Sequence, residues 1–419
     1  MVTFAESPLN VFLMNRPTRA CLFLAVLLAA VSAFAGEGRE IDSPAGPGSL
    51  APAITGLNAE RLILTWLEPA DDGHALNFAV LDGNGFGPSR TIASGEDWFA
   101  NWADTPGLFV LPGGDWVAHW LVKSGSSTYA YDVVTARSSN GGATWTKPVS
   151  PHRDGTQTEH GFVSYFAQSG SSAGLVWLDG RRMAAESDDG AMTLRSAVLS
   201  GNGGLSDEAL LDERVCDCCQ TASAMTSAGP VVVYRDRSEE EIRDHYVVRR
   251  TEEGWSDPRR LHADNWRIGG CPVNGPAMVA DGERVAVAWF TMPEGKPRVH
   301  VATSGDSGRS FELADSLGEG SALGRVDLAL SDSGFVLSWV DQVDRSGELV
   351  LVGYDWGGNP LWRERIEGID AGRASGFPRL GMLAGCRPVV AWTGRFDGKR
   401  RVRVLRLSPG KACHGRSAG

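Results

Sequence analysis

Arg61-Leu62-Ile63-Leu64-Thr65-Trp66 is an apolar run that ends on an indole, and the chain repeats this form six more times. The further copies occupy residues 116–120, 173–177, 230–234, 285–289, 335–339 and 388–392, closing on Trp120, Trp177, Tyr234, Trp289, Trp339 and Trp392. Consecutive closing aromatics lie roughly 50 to 57 residues apart, a period that belongs to repeat architectures. Short alternating strands separated by glycine-rich turns at that period predict an all-β, seven-bladed propeller, with a six-bladed ring as the alternative.

Each unit divides into four strands. In the first unit they are expected over residues 52–57, 61–66, 76–81 and 89–93, and in the fifth over 276–279, 285–289, 299–304 and 311–314. The seventh unit shows only three, at 378–382, 388–392 and 402–407. The segment around residues 39–44 is the expected fourth, so that strands from the two ends of the chain close the ring and remove its open edge. No linker divides the chain after the N-terminal segment, which predicts a single domain over residues 36–419.

That N-terminal segment reads as an export signal. Arg16 and Arg19 precede an apolar stretch at residues 20–35, and Ala33-Phe34-Ala35 is a small-x-small cleavage site. The stretch is too short for a good membrane span. Residues 1–13 add nothing to the signal, so translation is expected to begin at Met14. A periplasmic or secreted protein without stable membrane insertion follows. The formal charge of −11 and the absence of a basic run exclude nucleic acid as the main partner.

Two turns share the form S-x-D/N-x-G-x-S/T-aromatic, namely Ser138-Ser139-Asn140-Gly141-Gly142-Ala143-Thr144-Trp145 and Ser304-Gly305-Asp306-Ser307-Gly308-Arg309-Ser310-Phe311. The hydroxyl and the carboxamide or carboxylate are placed to bind turn amides, and glycine supplies a positive φ. These turns resemble the Asp-box, or bacterial neuraminidase repeat, and the chain is similar to sialidase-like propellers. The resemblance implies carbohydrate binding and glycoside hydrolysis. The family is six-bladed, however, and its Arg-Ile-Pro motif is absent here.

Strand parity sorts the loops. Turns between strands one and two, and between three and four, share one face, which carries the Asp-boxes and reads as scaffold. The opposite face gathers the starts of first strands and the ends of second strands, close to the central channel. There stand Asn101-Trp102-Ala103-Asp104, Glu159-His160, Asp179-Gly180-Arg181-Arg182, Tyr234-Arg235-Asp236-Arg237, Cys216-Asp217-Cys218-Cys219 and Cys271-Pro272-Val273-Asn274. Polar groups converging above a rigid scaffold define the expected site. Glu159, His160, Asp179, Tyr234 and Asp236 are the candidates for proton transfer or nucleophilic chemistry. Arg181, Arg235, Arg237 and Asn274 are the candidates for holding an anionic group.

Six of the seven cysteines follow the signal. Cys386 and Cys413 both belong to the scaffold face and are expected to form a disulfide. Cys216, Cys218, Cys219 and Cys271 converge near the channel from blades four and five. Two disulfides are the expected arrangement there. The alternative is a copper or zinc site, with His160 as a further ligand. No cofactor is needed for the leading expectation, a glycan or other anionic small molecule bound at the channel mouth, with glycoside hydrolysis as the reaction if the protein is an enzyme. A redox or metal protein centred on the cysteines, and a protein–protein scaffold, are the other two classes.

Overall fold

The computed structural model describes residues 38–168, 170–184 and 190–408, so the expected signal at residues 1–35 and Cys413 lie outside the described residues. Seven antiparallel sheets follow one another along the chain, as the sevenfold aromatic period requires. Blade one spans Leu50–Asn58, Arg61–Ala70, Gly73–Asp82 and Arg90–Gly95, with Gly85–Phe86 as a short extra pairing. Blade five spans Ala277–Asp281, Arg284–Thr291, Arg298–Ser304 and Glu312–Leu317, within a residue or two of the boundaries read from sequence at most ends. Among the described residues, the only other regular elements are three single turns of 3-10 helix.

The ring closes as expected. In blade seven, Arg379–Leu383, Arg387–Phe396 and Lys399–Arg406 are joined by Arg39–Ile41, whose register sets Arg39 opposite Arg406 and Ile41 opposite Val404. Blade two departs from the four-strand plan. It has Gly107–Val110, Trp116–Lys123 and Tyr131–Ser138, and the fourth position is held by a short contact in which Val149 exchanges two backbone hydrogen bonds with Thr135 and Thr146 N–H donates to Arg137 O. Pro148 and Pro151 flank that contact and lack the N–H that a longer ladder would need. The released segment turns inward and carries His152 and Asp154 towards blade three.

The marker aromatics are the core. Trp66, Trp177, Tyr234, Trp289 and Trp339 are fully buried, and Trp120 and Trp392 nearly so. Their polar atoms still need partners inside the protein. Trp66 Nε1 donates to Glu68 (2.7 Å), Trp177 Nε1 to Asp179 (2.8 Å) and Trp339 Nε1 to Asp341 (2.7 Å). Trp289 uses Asp264 (2.7 Å) and Tyr234 uses Asp212 (2.5 Å). A carboxylate two residues beyond the indole, on the same face of the strand, is thus a recurring anchor.

The two S-x-D/N-x-G turns have the same internal bonding. Gly142 N–H donates to Ser138 Oγ (2.9 Å) and Thr144 N–H to Asn140 Oδ1 (3.0 Å); Gly308 N–H donates to Ser304 Oγ (2.9 Å) and Ser310 N–H to Asp306 Oδ1 (2.9 Å). Gly142 and Gly308 adopt φ of 77° and 75°. At Gly142 a Cβ would also lie 2.5 Å from Phe78 and 2.8 Å from Trp116, so glycine is required twice over. Cys386 is disulfide-bonded.

Candidate functional site

The rim of the channel is built from the residues that lead into each first strand. Three of those strands carry a bulge at the same place, at Ala51, Phe162 and Arg325, with φ of 53°, 54° and 56° and a register shift beside each. Such strained positions need support from neighbours. Asp104 Oδ1 accepts from Phe162 N–H (2.9 Å), and Asn274 Oδ1 accepts from Arg325 N–H (2.7 Å). In these two pairs one blade caps the bulge of the next. Gln220 adds a third stitch, donating to Ala103 O and accepting from Gly275 N–H, both at 2.9 Å. Below this rim the channel holds a cavity of about 220 Å³ bordered by Asp104, Gln220, Asp327, Phe377 and Arg379.

Glu159 stands on the rim, half-buried, and Tyr131 connects it to Asp104. The Tyr131 hydroxyl lies 2.7 Å from Glu159 Oε1 and 2.8 Å from Asp104 Oδ2. A phenol has one proton to donate, so both contacts are hydrogen bonds only if one carboxyl is protonated. The surroundings enforce that. Burial pushes Glu159 up to about 8 against the lowering effect of Tyr131, with Asp104 and Asp217 adding repulsion. Burial pushes Asp104 up to about 7, opposed by the bonds from Phe162 N–H and Tyr131. The three groups form a carboxyl–phenol–carboxyl chain that retains a proton at neutral pH.

Two residues before Asp104, Trp102 gives the rim an aromatic surface. It stacks on Phe377 with ring centroids 5.9 Å apart, and the Arg325 and Arg373 guanidinium groups each lie 5.9 Å from its ring. Arg325 is buried and held by Ser375 Oγ (2.6 Å) and Ala371 O (2.9 Å), whereas Arg373 is exposed. Trp102 was placed on this face by its motif without a role of its own, whereas Tyr131, Arg325 and Arg373 join the rim from outside the motifs read in the sequence. Parity could have found Tyr131, because the start of a third strand lies on the same face as the end of a second.

His160 points away from Glu159, as adjacent strand residues do. It is fully buried and stacked on His152 at 3.8 Å with a 4° interplanar angle. The pair sits between Asp132 and Asp154: His160 Nδ1 is 3.3 Å from Asp132, and His160 Nε2 and His152 Nδ1 are each 3.3 Å from Asp154. Burial lowers His160, but Asp132, Asp179 and Asp154 outweigh it and hold the imidazole above its ordinary value. Burial and the neighbouring His160 lower His152. His160 is thus neither open to the channel nor beside the cysteines, which removes it as their ligand.

Asp179 and Arg181 belong to the same buried network. Asp179 accepts from the Trp177 indole and from Arg181 Nε and Nη2, both at 2.7 Å, and Arg181 Nη1 reaches Glu208 at 3.0 Å. Burial raises the Asp179 carboxyl, but Arg181, His160 and Trp177 outweigh this and hold it below its ordinary range. Tyr234 is buried on Asp212. Asp236 is raised to about 7 by burial and by the Asp212 carboxylate. Arg235 is 1% exposed and spends its donors on the carbonyls of Asn274, Arg243 and Phe290, while stacking over Trp266 at 4.9 Å. Asn274 is buried in the bulge contact. Of the residues expected to clamp an anion, Arg181 and Arg237 are partly exposed, and both are already paired, Arg181 with Asp179 and Glu208 and Arg237 with Glu241 (2.7 Å) and Asp217 (3.3 Å). Tyr234 and Arg235 bond across blade boundaries, whereas Asp179 with Arg181 and Arg237 with Glu241 pair within one blade.

The four channel cysteines gather as expected, with no disulfide joining them in this structure. Cys216 and Cys219 are buried, Cys218 is half-buried and Cys271 is exposed. Cys216 Sγ lies 2.8 Å from Cys219 Sγ and 3.9 Å from Cys218 Sγ, and Arg243 Nη1 lies 3.4 Å from Cys216.

No family model matches this sequence, and no curated protein matches it. Solved structures do match the fold. Polysaccharide lyase Uly1 superposes with a TM-score of 0.52 at 9% identity, covering 87% of this chain and 91% of that one. The α-L-arabinanase of Penicillium chrysogenum, solved with arabinobiose, gives 0.50 at 12% identity over 90% and 99% of the two chains. A NanB sialidase structure from Streptococcus pneumoniae gives 0.47 at 10% identity over 84% of each. At these identities the likeness establishes the propeller and nothing finer.

Proposed function

We propose that the protein binds an acidic oligosaccharide at the mouth of its channel and that Glu159 exchanges a proton with it. One observation carries this reading: Glu159, raised to about 8 and bonded through Tyr131 to Asp104, is an acid that keeps its proton at neutral pH. Such a carboxyl is suited to protonate a leaving glycosidic oxygen. Trp102, on the same rim, offers a flat apolar ring of the kind that accepts a sugar face. Arg373 beside it supplies a cation for a sugar carboxylate. The expected signal at residues 1–35 would deliver the site to the periplasm or beyond it. The turn resemblance to sialidase-like repeats and the glycan-active proteins among the fold neighbours agree with this class of ligand.

The test is calorimetric titration of the mature protein with sialyl and uronyl oligosaccharides, beside neutral arabinobiose. Binding of an acidic ligand is expected, weakened roughly tenfold by Arg373→Ala, the loss of about one exposed charge-assisted contact. Glu159→Gln should retain binding while abolishing any release of reducing sugar. Absence of binding across the acidic panel, binding indifferent to Arg373→Ala, or sugar release unchanged in Glu159→Gln would refute the proposal.

A further inference from the structure

We propose that Cys216, Cys218 and Cys219 form a binding site for one thiophilic d10 metal ion, Cu(I) or Zn(II), with Cys271 as the sulfur on its open side. The three sulfurs of Cys216, Cys218 and Cys219 all lie within 4.8 Å of one another. Two sulfurs bound at about 2.3 Å to one tetrahedral ion stand roughly 3.8 Å apart. The 3.9 Å between Cys216 and Cys218 already has that spacing. Cys216 and Cys219, at 2.8 Å, are longer than the about 2.05 Å of a disulfide and need to open by about 1 Å to share an ion.

The charge around the sulfurs supports an anionic centre. A metal carrying three thiolates is negative, and a buried anion needs compensation. Arg243 meets Cys216 at 3.4 Å while its Nη2 stays on Glu241 (2.9 Å). Arg235 is buried next to it and, among the described residues, bonds to carbonyl oxygens and forms no ion pair. Two guanidinium groups thus back the sulfur cluster, one of them without a carboxylate. The group contains neither imidazole nor carboxylate, since His160 is engaged by Asp132 and Asp154 in a separate cluster. An all-sulfur set selects soft ions over Mg(II), Ca(II) or Mn(II). Cys271 enters from blade five, and its exposure leaves a path for the ion.

The mature protein, purified and reduced without oxygen, would be titrated against a chromophoric Cu(I) chelator and, separately, a chromophoric Zn(II) chelator. One ion per chain should be withdrawn from one of the chelators. Affinity should fall roughly 100-fold or more in Cys216→Ser or Cys219→Ser, and less in Cys271→Ser. In unsubstituted protein, which avoids any folding defect, the ion should slow alkylation of Cys218 and Cys271. Failure to compete for either ion overturns the proposal. So does uptake that persists when Cys216, Cys218 and Cys219 are all serine, or alkylation indifferent to metal. Neither readout depends on glycan binding, so the two proposals fail independently.

Discussion

Replacing Asp104 by asparagine should make the protein more stable at alkaline pH and leave it nearly unchanged in acid. The carboxyl is 2% exposed, and burial moves it from its ordinary 3.8 to about 7. Below about pH 4 the carboxyl is protonated in folded and unfolded chains alike, and its titration costs nothing. As pH rises above 4 the unfolded chain releases the proton while the folded one keeps it, so stability falls until the folded group also titrates near pH 7. At about 1.4 kcal/mol per pH unit, the displacement amounts to roughly 4 kcal/mol. Asparagine keeps the Oδ1 contact with Phe162 N–H and presents an amide to Tyr131, so the bulge retains its cap. The measurement is urea unfolding of both proteins at pH 4.5 and pH 8.5, comparing the difference between them so that titrating groups remote from Asp104 cancel. The Asp104→Asn protein should gain about 2–4 kcal/mol relative to the parent across that interval. A relative change under about 0.5 kcal/mol would show that Asp104 ionises normally and that the proton chain through Tyr131 to Glu159 does not exist.

Arg235→Met should lower stability by roughly 3–5 kcal/mol, because the carbonyls of Asn274, Arg243 and Phe290 lose their buried donor; thermal unfolding reads this, and a surface-like loss below about 0.5 kcal/mol would contradict the structural role. Trp177→Phe removes the indole N–H from Asp179 together with some core volume, and should cost about 2–3 kcal/mol in the same assay while leaving glycan binding intact.

The architecture was legible because its signal is collective. One apolar run ending in Trp66 says little, but seven at a steady spacing require seven similar sheets, and the missing strand of the last sheet required the residues 39–41 that supply it. Blade two escaped the pattern where Pro148 and Pro151 interrupt the ladder, and the inward segment they release brought His152 onto His160, a pairing with no sequence signal. The carboxyl–phenol–carboxyl chain was out of reach for a related reason. Tyr131 stands 27 residues from Asp104 and 28 from Glu159, so their meeting depends on how blades two and three dock.

The site residues divide more instructively. Asp179, Tyr234, Arg235 and Asn274 were expected at the site because charge and polarity at a strand end read alike whether they face solvent or an adjacent blade. Their phase in the repeat tells them apart. Asp179 follows Trp177 by two residues, as Glu68 follows Trp66 and Asp341 follows Trp339, and in each case the carboxylate holds the indole. Asn274 does for Arg325 what Asp104 does for Phe162. A polar residue that recurs in phase serves the scaffold, since every blade faces the same packing problem. Asp104 shows how one such stitch also acquires a second duty, through Tyr131. Glu159, Trp102 and the Cys216–Cys219 cluster have no counterparts in the other blades. Packing that repeats sevenfold gives no reason for residues that occur once, and that is the physical ground for placing ligand chemistry on them.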